Sequence, residues 1–411
     1  MTLTLPEQKE KQSNQAPRPS KLNVWQRIQD RTPLGWLQLK NNKGRLFVAI
    51  AGIGFADLLM FAQLGIQAAL FDSNTLLNRG VDADIVIRSA QYRNLNLANT
   101  LPRRRLYQIQ DLPGVQSAEG LYVANVVWKN PQTRRKTQLT LVGQNLERPT
   151  FTFDEVNRNL DKLKQPDTFL FDRTTRGDYG EVVKQVENGQ TAKTEIDRRT
   201  IQVAGLFSLG ASFATDGTLI TSQENFLRFF PQQSSGQINL GLIKVKPGTD
   251  PNQVLSQIKE ILPIDTIAST KQEFVTFEQN YWEKNTPIGI VFTFGTIMAF
   301  VVGTVIVFQI LSTDVNDHMG EYATFKAMGY RDRYLLLIVL EQSIILASLG
   351  FIPGVALAVG QYALVANLGA LPISMTLERM VLVFALTVSM CTISGVIATR
   401  KLESADSADN F

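Results

Sequence analysis

The sequence predicts a membrane protein with four transmembrane α-helices and a large α+β extracytoplasmic domain between the first and second of them. Three observations carry this expectation. Apolar residues gather in four long runs, each reaching the roughly 20 residues that a helix needs to cross the hydrocarbon. Lys and Arg crowd the flanks on one side of those runs, as the positive-inside rule requires. Between the first two runs, residues 72–287 are polar overall, with the periodicities of short strands and amphipathic helices. A length of 411 residues is also more than one compact core organises.

Residues 1–45 form the N-terminal segment and carry Lys9, Lys11, Arg18, Lys21, Arg27, Arg31, Lys40, Lys43 and Arg45, a local basic flank in a chain of net charge only +4. Before the first run, Leu22, Trp25, Ile28, Leu34, Trp36 and Leu37 alternate with these cations, which suits a helix over 23–43 lying in the membrane interface and broken at Pro33. The competing reading is a disordered tail, and residues 1–20 fit it. Because the basic cluster abuts an apolar run, a lipid surface is the expected partner and nucleic acid is not. The first run follows about 45 mostly polar residues and is too long for a signal-peptide core, so it is expected to remain in the mature protein.

The first span is read at 46–71, with one charge, Asp57, near its middle; the second, 288–311, has none. A cytoplasmic connection at 312–333 carries Lys326, Arg331 and Arg333. The third span, 334–366, contains Glu341 near its start and Pro353 inside it. A short outer loop, 367–379, leads to the fourth span at 380–399 and a tail at 400–411 that opens with Arg400 and Lys401. The cations place both termini in the cytoplasm and residues 72–287 outside.

The outer domain shows a weak internal repeat. A strand at 84–89, a helix at 101–110 and a second strand after Pro113-Gly114 are echoed by a strand at 238–245, a helix at 251–261 and a strand near Thr266. Two such β-α-β units, at about 80–120 and 237–270, pair naturally in one α+β fold, with about 121–236 inserted between them. The insertion reads as mainly β, with strands at 121–128, 137–142, 200–207 and 218–221. Thr270 and Glu273 have capping-box spacing and open a helix over 270–287 that leads to the second span as a stalk.

Motifs of catalysis are missing from the chain. It has no GxxxxGK[ST] phosphate loop, no HExxH and no GxSxG. One cysteine, Cys391, and one histidine, His318, build neither an intrachain disulfide nor a His/Cys metal cage, and His318 reads as a solvated side chain. Asp57 is costly at mid-bilayer and must face protein or water; it is either a relay or gate, with Gln63 and Gln67 as polar neighbours, or a hydrogen-bonded group joining helices. Glu341 is either a coupling residue or an interfacial anchor. Gly295, Ala299 and Gly303 fall at i, i+4 and i+8, a small-residue stripe for close helix packing within the chain or at a dimer seam.

The segment GEYATFKAMGYRDRYLLLIVLEQSIILAS (320–348) resembles the cytoplasmic signature of FtsX-like and MacB-like permeases, the type VII ABC systems. The likeness to the cyanobacterial DevC branch spans almost the whole chain: RTPLGWLQL before the first span, FADLLMFAQLG within it, YW and TPIG around 281–289, DVNDHMGEYATFKAMGY, and the terminal RKLESADSADNF, where Ser407 replaces an expected Pro. The resemblance implies a permease that works as a homodimer in the bacterial inner membrane with two copies of a separate ABC ATPase. That ATPase holds ATP and Mg, and this chain holds no cofactor. It implies that 312–333 contains a coupling helix, making Glu321, Tyr322, Phe325, Lys326, Met328 and Gly329, with Glu341 beyond, the ATPase-coupling candidates. It also implies an outer domain with MacB-like porter and sabre subdomains, a periplasmic adaptor, a TolC-like outer-membrane channel, and efflux of glycolipid or other amphipathic cargo. The FtsX branch implies an alternative, a signal transducer that activates an extracytoplasmic partner and transports nothing. Lipoprotein release, a third possibility in the family, fits the DevC likeness less well.

Overall fold

The computed structural model describes residues 36, 39–40, 42–330, 332–369 and 372–405. Most of the proposed interfacial helix at 23–43, all of 1–20 and the end of the tail at 406–411 lie outside the described residues.

Helix α1, Lys43–Gly80, starts where the Asn42 side chain accepts from the Arg45 N–H at 3.3 Å. It runs nine residues beyond the span read from hydropathy. Residues 72–80 are polar, and they stay helical because they are buried: Ser73, Asn74, Thr75 and Asn78 are all nearly inaccessible, and Ser73 and Asn74 return hydrogen bonds to the Leu70 carbonyl at 2.8 and 3.1 Å. Burial against neighbouring elements holds a helix that composition alone would end.

The large domain follows. Its elements are β1 (Ile85–Ser89), β2 (Leu101–Pro102), α2 (Arg104–Gln110), β3 (Val115–Lys129), β4 (Lys136–Gln144), α3 (Asp154–Asn157), β5 (Thr168–Asp172), α4 (Gly180–Glu187), β6 (Ala192–Ile196) and β7 (Arg199–Phe207). Then come β8 (Thr218–Ser222), α5 (Gln223–Phe229), β9 (Gln237–Ile238), β10 (Leu240–Val245), α6 (Pro251–Ile261), β11 (Thr266–Thr270) and α7 (Lys271–Lys284). Nine strands form one sheet in the order β11-β1-β10-β3-β4-β8-β5-β7-β6. The first four pair antiparallel in the order of a split β-α-β, or ferredoxin-like, arrangement, with helices α2 and α6 as its two crossovers. Both faces of this half are covered. Ile85 and Ile87 face Leu106, Ile109, Leu255 and Ile258 of those helices, while Val86 faces Leu77 of α1 and Phe274 of α7.

Strand β3 joins the two halves. Its first part pairs with β10 and its second with β4, and at its end Trp128 and Lys129 pair with Ile196 and Glu195 of β6. This last pairing closes β3, β4, β8, β5, β7 and β6 into a barrel around Trp128, Phe169, Phe171 and Val203, each fully buried. The insertion boundary read between residues 120 and 121 therefore falls inside a continuous strand. No linker separates the subdomains there, because β3 supplies backbone partners to both.

Among the described residues, four helices are long and apolar enough to cross a membrane: α1, α8 (Pro287–Asp317), α10 (Asp332–Gly369) and α11 (Leu377–Ala405). A short helix, α9 (Met319–Ala327), lies between α8 and α10. Of the most apolar stretch of α1, 44% is buried, against 17% for α8, so α1 is the inner helix and α8 turns most of its surface outward.

Candidate functional site

Helix α9 sits where α8 ends, and the chain shapes both of its ends. The Tyr322 N–H bonds to the His318 carbonyl at 3.1 Å, and Gly329 adopts φ +88, a left-handed conformation that lets the chain leave the helix. Tyr322 was expected to contact a partner. It is instead 2% exposed and packs on Val315 of α8 and Val339 of α10, with Met319 and Tyr334 alongside, so it anchors the helix to its own bundle. Glu321 and Met328 are exposed, Met328 at 59%. Phe325 and Lys326 lie on the same helix. Glu341 is half-buried on α10.

Below α9 is a polar cluster that motif reading missed. Arg45, in the first turn of α1, reaches Asp317 at 2.6 Å and Asp314 at 3.7 Å. Gln342 of α10, next to Glu341, donates to Asp314 at 3.0 Å. His318 is partly buried, with Nδ1 2.8 Å from the Asp314 carbonyl, which corrects the reading of a solvated side chain: it caps α8. The cluster ties the start of α1, the end of α8 and the body of α10 to the root of α9. Its sequence signal was faint, namely charges one helical turn apart at 314–318 facing a Gln inside an apolar run.

Asp57 is fully buried in the bundle, away from lipid. Thr387 of α11 donates to its Oδ1 at 2.5 Å, and Gly354 of α10 presses against it so closely that a Cβ there would stand 2.7 Å from the Asp57 Cβ. One carboxylate thus joins three helices. Gln63 packs on Gly295, and Gln67 is half-buried. Gly303 meets Ala56, where an added Cβ would lie at 2.8 Å, and buried Ala299 shares a cluster with Met60 and Phe61. An added Cβ on Gly303 would meet Met390 of α11 closer still, at 2.2 Å, so the small-residue stripe lies against α1 and α11 of the same chain.

At the other end of the bundle, α7 joins the large domain to α8. Thr270 and Glu273 cap it reciprocally. The joint to α8 is tight, since a Cβ on Gly289 would lie 1.8 Å from the Glu283 carbonyl. On the inner face of α7, Glu278 is fully buried and accepts a hydrogen bond from the Tyr92 hydroxyl, while the Arg88 guanidinium lies 4.0 Å from the centre of the Phe277 ring. Burial lifts the Glu278 carboxyl to about 7, against the opposing pull of the Tyr92 hydrogen bond and the Arg88 charge. Burial and the neighbouring Glu278 push the Tyr92 phenol well up, which keeps it a donor.

Comparison with known proteins finds a family match in the C-terminal part of the chain. Residues 293–405 match the FtsX-like permease C-terminal family. No curated protein matches the chain. Among solved structures, the periplasmic region of MacB from Actinobacillus actinomycetemcomitans is similar over 49% of this chain and 95% of that one, at 12% identity and a TM-score of 0.34. The extracellular domain of the noncanonic ABC-type transporter YknZ from Gram-positive bacteria is similar over 46% and 98%, at 9% identity and a TM-score of 0.29. The residues that match the FtsX-like permease C-terminal family take in most of α8 and all of α9 to α11.

Proposed function

We propose that this chain is the membrane-spanning permease subunit of an ABC-type efflux system of the DevC kind. ATP is hydrolysed on a separate ATPase, and the outer domain converts that cycle into movement that drives amphipathic cargo through an adaptor and an outer channel. The observation that carries this reading is α9: a short helix with Glu321 and Met328 exposed, fixed through Tyr322 and the Asp314 cluster to three spanning helices. A push on α9 is delivered to α8 and thence, through a tight joint, to α7 and the sheet. The cations at both chain ends support a cytoplasmic α9 and a large domain on the outside.

The packed bundle supports a mechanical output in which cargo does not cross between the spans. Asp57 is sealed between three helices, and Gln63 is turned against Gly295. The same packing favours equally a transducer that activates an outer partner without transport. Purification in lipid nanodiscs with the candidate ATPase and adaptor separates the two. Adaptor-stimulated ATP hydrolysis that falls at least about tenfold in Glu321→Arg is the expected result. Hydrolysis indifferent to adaptor and substitution alike overturns the coupling assignment.

A further inference from the structure

Of the 41 basic and 37 acidic side chains, nine and three lie in the first 45 residues, so the remainder of the chain has a slight acidic excess. Against that background, one end of the barrel is strongly basic. The β3–β4 turn and the adjoining β6–β7 hairpin present Lys129, Arg134, Arg135, Lys136, Lys193 and Arg198. Lys129 is matched by Glu195 at 2.7 Å, and Arg134 reaches the same carboxylate only at 3.9 Å. Arg135, Lys136, Lys193 and Arg198 form no ion pair among the described residues, and all four are exposed.

Backbone geometry makes the placement of these cations more than a solvated surface. The β6–β7 connection has two residues, Asp197 and Arg198, with φ +46 and +71, the conformation of a tight turn that favours Asn-Gly. Asp197 has a local reason to be there, since its side chain accepts from the Val127 N–H at 3.3 Å. Arg198 has none, and Gly would fit without strain. Arg134 is also left-handed, at φ +59. Two arginines thus occupy positions where glycine is the low-energy choice, and strain of this kind gathers at functional sites.

The surface between them is concave. A cleft of about 420 Å³ is lined by Val127, Lys136, Asp197 and Arg198, and one of about 230 Å³ by Pro131, Arg134, Lys193 and Thr200. The Lys129–Glu195 pair borders both. We infer that this end of the barrel binds the anionic headgroup of an amphiphile, with Lys136 and Arg198 holding one acidic group and Arg134 and Lys193 a second. Guanidinium and ammonium groups around a small cleft suit phosphate or carboxylate oxygens. A docked protein would instead need a largely uncharged, apolar centre, and Val127, 42% exposed, is one apolar side chain among the charged residues Lys129, Lys136, Glu195, Asp197 and Arg198.

This inference rests on the amphiphile-export reading and names where cargo is held. Its test needs no ATPase, so its failure leaves the coupling assignment standing. The full chain in phosphatidylcholine nanodiscs is titrated calorimetrically at low salt with dihexanoyl phosphatidylglycerol, dihexanoyl phosphatidylcholine, inorganic phosphate and poly-glutamate. Phosphatidylglycerol is expected to bind, phosphatidylcholine is not, and Lys136→Gln with Arg198→Gly weakens binding roughly tenfold. Arg198→Gly alone raises the thermal midpoint by about a few degrees, which separates lost binding from misfolding. Four results overturn the proposal: no binding of phosphatidylglycerol, undiminished binding by the double variant, inorganic phosphate binding as tightly as the lipid, or poly-glutamate as the sole ligand.

Discussion

Glu278 shows how a single buried side chain sets the state of a whole contact. Its ordinary value is 4.5 and burial in the folded protein lifts it to about 7. Between those values the folded chain keeps a proton that the unfolded chain has released. The stabilisation from the neutral carboxyl is therefore complete below about pH 4.5 and is lost as pH rises through about 7. Docking of α7 on the sheet should follow. Amide exchange over 274–283, corrected for the intrinsic rate, is expected to be slower at pH 5.5 than at pH 8 in the full-length protein, and Glu278→Gln should flatten that difference. Identical profiles for wild type and variant would show that the carboxyl does not govern the contact. Asp57 works differently at the same scale: Thr387 donates to it and Gly354 gives it room, a setting that favours the helix-joining reading over the relay or gate that the sequence also offered.

Among the elements, α9 is the one whose geometry matters most to the proposed cycle. Gly329 ends it in a left-handed conformation, and a β-branched residue there is strained by roughly 1–2 kcal/mol. Gly329→Val should therefore redirect the exit of α9 and lower partner-stimulated hydrolysis, while the thermal midpoint moves only slightly. Tyr322→Ala removes a buried aromatic anchor, at about 3–5 kcal/mol, and should lower both together. A Gly329→Val protein that couples as well as wild type would release α9 from the role given to it. Much of this element was legible beforehand through the family resemblance, which placed Glu321 at its opening and Met328-Gly329 at its close. The buried face of Tyr322 was not, because a tyrosine on a short amphipathic helix reads alike whether it meets a partner or its own bundle. Strand β5 escaped notice for a related reason. All five of its residues are buried, so the alternation that reveals a half-exposed strand is absent.

For the whole molecule, the proposed output depends on α1, α7 and α8 acting as one rigid link between the bundle and the sheet. The tight contact of Gly289 with the Glu283 carbonyl and the packing of α1 along α7 supply that rigidity. Two glycines inserted between Asn285 and Thr286 should leave folding and unstimulated hydrolysis intact but abolish stimulation by the adaptor. Retained stimulation would mean that force reaches the outer domain through α1 alone. The four spans, the capped stalk helix and the paired β-α-β units were settled by the sequence itself, because hydropathy, capping and the two periodicities are local properties that a window of residues displays. Only the tertiary structure decided that β3 serves both halves of the sheet, that Trp128 meets Ile196 to close the barrel, and that Arg45, Asp314 and Gln342 converge beneath α9. Those arrangements join residues far apart in the chain, whose partners are chosen by competition among many chemically equivalent strands and charges once the core has formed.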